Sequence, residues 1–413
     1  MRAGSGRFHG WRVVGAAFAL AVFGWGLGFY GPPVYLHTVR EAKNFPPELV
    51  STAVTAHFVT GALVVANLSA LHRGFGIPTV TKAAALCLGL GVLGWSLATT
   101  PAWLFAATLL SGAGWAGMGG AAVNAIVSPW FVRARPAALS MAYNGASIGG
   151  VVFSPLWVAA IAALGFPAAA AAIGLVMLIA IWVLADRLMS RTPEQMGLRP
   201  DGDAPGPASS AAPAAMPRAG SLLWRDVTFA TLAAGMAIGL FAQIGLIAHL
   251  FSLLVPALGA QGAGLAMGLA TAMAIAGRTA IGWLMPTGAD RRLVAGASYA
   301  VQIAGCVALL LAAGSNVALL LAGIVLFGFG IGNATSLPPL IAQSEFAKDD
   351  VPRVVALIVA IAQGTFAFAP AVFGVIRELA PGGSAAGAAP AVFIMAALLQ
   401  GAAIAALLAG RRA

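Results

Sequence analysis

The chain has 413 residues, of which 60% are hydrophobic and only 8% are charged. A soluble domain carries about 25% charged residues, so the charges here are too few to cover a water-soluble globule of this size. The net charge of +10 is not gathered into a basic patch interleaved with aromatic residues, which argues against nucleic acid as a partner. Composition therefore predicts an integral membrane protein.

Apolar runs of about twenty residues recur along the chain, long enough to cross about 30 Å of hydrocarbon as helices. The runs are continuous and do not alternate with polar residues, which favours helices over barrel strands. Twelve transmembrane helices are predicted, at about 12–36, 48–71, 77–98, 102–130, 136–164, 167–188, 224–255, 262–285, 292–313, 316–342, 352–377 and 386–409.

The sequence divides into two related halves. Residues 190–222 are rich in Pro, Ala, Gly and Ser and predict a flexible linker between helical bundles at 1–189 and 223–413. Trp11 opens the first helix and Trp224 opens the seventh, 213 residues later. This repeat predicts an all-α membrane protein of two pseudo-symmetric six-helix bundles, with a substrate site where the bundles meet.

Lysine and arginine residues indicate the orientation in the membrane. With both termini in the cytoplasm, 18 of the 22 cations face the cytoplasm, and Arg40, Lys43 and Arg377 face outward. The remaining cation, Arg278, falls within a helix. Because this asymmetry follows the positive-inside rule, it predicts a multi-pass protein of the inner (plasma) membrane with cytoplasmic termini and linker.

The segment after the second helix resembles the loop motif of the major facilitator superfamily, Gly-x-Leu-x-Asp-Arg-x-Gly. Leu71, Phe75 and Gly76 fit this motif, whereas Arg73 stands where the Asp belongs. The resemblance covers nearly the whole chain. It implies a secondary transporter that exposes its substrate site alternately to the two sides of the membrane.

Three further stretches resemble the monocarboxylate transporter family, to which oxalate–formate antiporters are related. They lie at 8–12, 130–149 and 276–282. In that family an Arg of helix eight binds the substrate carboxylate, and Arg278 occupies the matching position. The acid that the family often has four residues earlier is Ala274 here, and the family's helix-one Lys is absent. Proton coupling therefore does not carry over from the resemblance alone.

Arg278 is the sharpest candidate site residue, because every Asp and Glu falls at a predicted helix end or in a loop. An Arg at the bilayer centre costs about 2.5–3.5 kcal/mol on insertion scales, and intramembrane charges commonly mark substrate pathways. Its planar guanidinium matches a carboxylate through two parallel hydrogen bonds. The alternative is a structural Arg that reaches the cytoplasmic interface or bonds backbone carbonyls.

Other polar side chains fall in helices that line the central cavity of the superfamily fold. The remaining substrate-binding candidates are Tyr30, Asn144, Gln243, His249 and Gln363. Candidates for proton coupling are His249 and His57, since imidazole titrates near neutral pH. For each histidine, a packing role is the alternative.

No phosphate-binding Gly-Lys-Ser/Thr loop, metal-ligand cluster or catalytic nucleophile occurs in the sequence. We therefore expect neither ATP-driven transport nor enzymatic activity, and no cofactor or metal. The expected partners are the lipid bilayer, a small organic anion and H⁺, and we expect a monomer.

The resulting prediction is a secondary active transporter that moves a small organic anion by alternating access, with H⁺ as the candidate symported ion. A monocarboxylate is favoured over a dicarboxylate, because Arg353 and Arg377 lie at the ends of helix eleven and not in its middle. One alternative is an efflux carrier for apolar drugs or metabolites, for which Arg278 would be dispensable. An alternative of another class is a membrane receptor or scaffold that transports nothing.

Overall fold

The structure is a computed structural model that describes residues 8–202, 223–286, 289–347, 350–379 and 389–411. In these residues the regular secondary structure is helical, and none of them lies in a strand. Ten of the helical segments are long and apolar enough to cross a membrane.

The α-helices of the described residues are, in chain order, α1 (His9–Gly28), α2 (Gly31–Lys43), α3 (Pro47–Phe75), α4 (Ile77–Leu97), α5 (Pro101–Ala116), α6 (Gly120–Val127), α7 (Arg135–Leu164), α8 (Phe166–Leu188), α9 (Val227–Leu284), α10 (Arg291–Leu311), α11 (Val317–Ile331), α12 (Asn333–Glu345), α13 (Val351–Phe366), α14 (Ala369–Leu379) and α15 (Pro390–Ala409). Short 3-10 helices lie at Ser128–Trp130, Glu194–Met196 and Pro200–Gly202.

Helix α9 contains 58 residues, which would extend for about 87 Å if it were straight, nearly three times the thickness of the hydrocarbon core. Gly259 divides it, with φ 67° and ψ 169°, a conformation that glycine adopts without steric cost. The short helices α5 and α6 together occupy the fourth predicted span. The described residues thus contain twelve candidate spans: the ten long segments, one more because Gly259 divides α9, and one formed by α5 and α6 together. The predicted all-α membrane fold is confirmed over the described residues.

Four of the predicted spans are interrupted, so each consists of two helices. The interruptions lie at 29–30, 117–119, 332 and 367–368. Glycine or proline stands within or just after each of them. Glycine lowers helix propensity, and proline lacks the backbone N–H and crowds the preceding turn, so both residues favour a break.

The chain forms two compact units. Unit 1 consists of Met1–Pro32, Thr60–Phe153 and Ala159–Ser210, and unit 2 consists of Pro33–Val59, Ser154–Val158 and Ala211–Ala413. The division into bundles at 1–189 and 223–413 remains a prediction.

Glycines bring helix backbones into contact within each unit. In unit 1, a Cβ at Gly114 of α5 would overlap the backbone nitrogen of Leu88 in α4. In unit 2, a Cβ at Gly277 of α9 would overlap the carbonyl oxygen of Phe329 in α11. Small residues permit this close approach, as is common between helices in membranes.

The beginning of the predicted flexible linker, within residues 190–202, is folded against unit 1. The carboxylate of Asp201 accepts hydrogen bonds of 2.8–3.1 Å from the backbone N–H groups of Val132, Arg133 and Ala134, just before α7. Burial raises the pKa of Asp201, but the three hydrogen bonds outweigh it and hold that pKa below its ordinary value. The remainder of the predicted linker lies outside the described residues.

Candidate functional site

Arg278 lies half-buried in the second half of α9. Its Nε donates a hydrogen bond to the carbonyl oxygen of Gly332, 3.3 Å away. Gly332 stands between α11, of 15 residues, and α12, of 13 residues, and so marks the middle of that span. The guanidinium is thus directed to mid-span and not toward the near end of α9, and its bond to a backbone carbonyl is one of the structural roles that form the alternative to substrate binding.

The carbonyl of Gly332 has other donors as well. The hydroxyls of Thr335 and Ser336, in the first turn of α12, donate to the same oxygen at 3.3 and 3.1 Å. A helix break leaves carbonyl groups without their usual partners, and these hydroxyls supply them. The bond to Gly332 therefore positions the guanidinium of Arg278, whereas the break itself does not depend on that bond.

Close approach of two backbones places Arg278 at the break. A Cβ at Gly332 would overlap the carbonyl oxygen of Ala274, one turn before Arg278, and would lie 3.2 Å from the Cβ of Arg278. Ala274 is the position where the monocarboxylate family often has an acid. In this chain a small, fully buried residue at that position lets α12 approach α9.

His249 lies in the first half of α9 and is completely buried. Its Nε2 is 3.0 Å from the carbonyl oxygen of Pro370. A carbonyl only accepts hydrogen bonds, so Nε2 carries the proton and Nδ1 is left as the acceptor of the neutral ring. This Nδ1 is buried and has no hydrogen-bond partner among the described residues. It is a buried acceptor that no described group uses.

Two groups beside His249 were not among the predicted site residues. Ser252 donates to the backbone carbonyl of His249 at 2.8 Å and accepts a hydrogen bond of 2.6 Å from Nη1 of Arg377. Arg377 is only 8% exposed. Its place near the end of a predicted span indicated a solvated cation, and only the packing of α14 on α9 shows that it is buried.

Two side chains of unit 2, those of Thr55 and His249, contact the backbone just after the interruption between α13 and α14. The Oγ1 of Thr55 in α3 accepts a hydrogen bond of 3.0 Å from the backbone N–H of Ala371, in the first turn of α14. The carbonyl of Pro370 is the one that His249 contacts. Thr55 thus caps a helix that belongs to another span, a role that local sequence does not indicate.

Gln243 is buried in an amide network within unit 2. Its Nε2 donates to Oε1 of Gln302 at 3.3 Å, and Nε2 of Gln400 donates to the same oxygen at 3.3 Å. All three side chains are at most 2% exposed. Gln243 therefore binds neighbouring helices in this structure. Gln363 lies half-buried in α13.

The other candidates are distributed between the units. In unit 1, Tyr30 lies in the break between α1 and α2, and Asn144 is exposed on α7. In unit 2, His57 of α3 is 1% exposed, and its ring lies 5.1 Å from that of Phe58 in an edge-on arrangement. Within the described part of the chain, no group of three or more His, Cys, Asp or Glu side chains could hold a metal ion.

The family model of the Major Facilitator Superfamily matches residues 16–370 of this chain. This chain belongs to that superfamily. Membership makes it a multi-pass membrane transporter for small molecules and not an enzyme. A search of curated proteins found no match to the sequence.

Solved structures share the fold. The nucleoside transporter NupG matches with a TM-score of 0.70 at 12% identity, over 98% of this chain and 98% of that one. A variant of NupG matches with a TM-score of 0.72 at 12% identity, over 97% of this chain and 100% of that one. A bacterial homolog of the human lysosomal transporter Spinster, inward-facing and occupied, matches with a TM-score of 0.71 at 13% identity, over 98% of this chain and 97% of that one. At such low identity the likeness concerns the fold alone.

Proposed function

We propose that this transporter carries a small organic anion, a monocarboxylate, and that Arg278 binds its carboxylate. The observation that carries the proposal is the guanidinium held at mid-span by the carbonyl of Gly332, 3.3 Å from its Nε. A cation at this depth costs free energy of insertion and commonly marks a substrate pathway. Secondary transporters bind substrate near the midplane of the membrane. The resemblance of 276–282 to the monocarboxylate transporter family supports the same choice of substrate.

The chemistry of the guanidinium fits this role. Arginine has five N–H donors in a rigid plane, and two of them can bond a carboxylate in parallel. Thr335 and Ser336 also bond the Gly332 carbonyl, so substrate binding at Arg278 leaves the break in this helix hydrogen-bonded. The other proposed substrate contacts remain Gln363, Gln243, His249, Tyr30 and Asn144.

We further propose that H⁺ is symported, with His249 as the coupling residue and His57 as the second candidate. A monocarboxylate and one proton cross together without net charge. The buried Nδ1 of His249, which has no partner among the described residues, supports this proposal. A neutral imidazole that gains a proton there would need a new acceptor, which links protonation to rearrangement or to the anion.

The proposed setting is the inner membrane, with both termini and the linker in the cytoplasm and the transporter working as a monomer. The distribution of 18 inward and three outward cations supports this orientation. A reporter inserted between residues 203 and 222 should give a cytoplasmic signal. An external signal would reverse the orientation.

The test of the proposed function is uptake into proteoliposomes that contain the purified protein. Radiolabelled formate, L-lactate, pyruvate and oxalate are compared with an apolar cationic dye, with and without an inward proton gradient. We expect uptake of a monocarboxylate that the gradient accelerates. Transport of the dye alone, unchanged by Arg278→Gln, would replace the proposal with the apolar efflux carrier.

A further inference from the structure

Arg377 is a buried cation near the side of the membrane that is predicted to face outward. Arg377 of α14 is 8% exposed, and its Nη1 donates to the hydroxyl of Ser252, 2.6 Å away. Within the described part of the chain, no carboxylate lies within 4.0 Å of this guanidinium. Its one direct hydrogen bond there goes to a neutral group, which compensates a buried charge only in part.

The groups around Arg377 in unit 2 are also basic. Arg40 and His37 of α2 are half-buried, and His249 is completely buried. The charge of Arg40 acts on Arg377, and the charges of both act on His37 and His249. Two guanidiniums and two imidazoles therefore share one region of the unit.

The acids of this region face the solvent. The side chain of Glu41 is 70% exposed and lies 3.6 Å from the ring of His37, and Glu378 is exposed beside Arg377. Exposed carboxylates are screened and contribute little to the balance of buried charges. The buried part of the cluster is consequently positive, and a small anion is the partner that would neutralise it.

We propose that Arg377 is a second station for the transported anion, at which a carboxylate replaces the hydroxyl of Ser252 on the guanidinium. This inference rests on the proposed function, since it assumes an anionic cargo. In the structure, Ser252 accepts from one N–H donor of the Arg377 guanidinium. A carboxylate would accept from two of these donors in parallel. Arg40 supplies the positive surroundings, and Arg278 remains the site at mid-span.

The station is tested by the concentration dependence of L-lactate and oxalate uptake in proteoliposomes, with Arg377→Gln, Arg377→Lys and Ser252→Ala. Arg377→Gln should raise KM about tenfold or more with a smaller loss of maximal rate, because a charge-assisted bond is lost before the mid-span site is reached. Arg377→Lys should recover part of this loss. Ser252→Ala should lower KM by about two- to fivefold, because it frees the guanidinium.

Arg353→Gln is the matched control, since Arg353 stands at the other end of the same span and should leave KM unchanged. Inhibition of L-lactate uptake by chloride distinguishes a general anion site from a carboxylate site. If chloride competed with L-lactate at about the same concentration, bidentate recognition of a carboxylate would be contradicted.

The station and the proposed function fail in different ways. If Arg278→Gln abolishes carboxylate uptake while Arg377→Gln and Ser252→Ala keep the wild-type KM, the station is overturned and the proposed function stands. If both Arg377→Gln and Ser252→Ala lower only the melting temperature, the bond between them is structural and the station is overturned. If neither Arg278→Gln nor Arg377→Gln affects uptake, the anionic cargo itself is wrong.

Discussion

Two interrupted spans of unit 2 satisfy the backbone groups at their breaks with different hydrogen-bond partners. At Gly332 the free carbonyl is bonded by Thr335 and Ser336 of its own helix and by Arg278 of α9. At 367–368 the following turn is bonded by Thr55 and His249, which come from two other spans. The first break is largely self-sufficient, whereas the second depends on side chains distant in sequence.

This difference assigns the breaks different roles. A break whose hydrogen bonds lie mostly within one helix can keep its geometry while other spans move, which suits a fixed substrate anchor. A break that relies on side chains of other spans changes when those spans move relative to it, so we call the second break a joint.

Among substitutions at the two breaks, Gly332→Ala should have the largest effect, because it changes the backbone that holds Arg278. Its Cβ would overlap the carbonyl of Ala274, so α9 and α12 must separate and move Arg278. Overpacking of this kind costs about 1–3 kcal/mol, and misplacing the guanidinium should weaken L-lactate binding about tenfold or more. Thermal unfolding and calorimetric binding measure both effects. Gly401→Ala, which has open space for a Cβ, is the control.

His249→Gln should flatten the pH dependence of carboxylate uptake, if the imidazole is the group that couples protonation to transport. Glutamine keeps an N–H donor for the carbonyl of Pro370 but cannot take up a proton. Exchange of internal for external substrate should continue in part. His57→Gln is the matched comparison, and a pH profile that changes only with His57→Gln would transfer the coupling role to that residue.

Thr55→Val removes the cap of α14 with almost no change in shape. The buried N–H of Ala371 loses its acceptor, which should cost about 1 kcal/mol and lower the melting temperature. Thr52→Val is the control, since the Thr52 hydroxyl bonds the carbonyl of Glu48 on its own helix and is exposed. Equal melting temperatures for the two variants would show that Thr55 does not hold the joint.

Asp201→Asn tests the folded beginning of the linker, where the smallest effect is expected, less than about 1 kcal/mol. The pKa of Asp201 is lowered from 3.8 in the folded protein. Its contribution to stability is therefore present at neutral pH and is lost as the pH falls through the lowered pKa. The stability difference between wild type and Asp201→Asn should be seen at pH 7 and should shrink as the pH falls through the lowered pKa. A difference independent of pH would contradict this assignment.

Sequence patterns were sufficient for the features that depend on single residues or local runs. Apolar runs predicted the spans, and an isolated charge within one of them singled out Arg278. The burial of Arg377 and the cap from Thr55 arise only when distant helices pack together, so no local pattern contains them. The helix breaks fall between these cases, because Gly31 and Pro370 were visible in the sequence but did not show where each helix would stop.

The direct test of the central claim is a calorimetric titration of L-lactate into purified wild type, Arg278→Lys and Arg278→Gln. Lysine keeps the charge but loses both the planar fork and the Nε bond to Gly332, so we expect affinity to fall about ten- to hundred-fold. Arg278→Gln should show no measurable binding at the same concentrations while retaining the fold. Wild-type affinity in Arg278→Gln, for L-lactate or for any carboxylate that the protein takes up, would contradict the account.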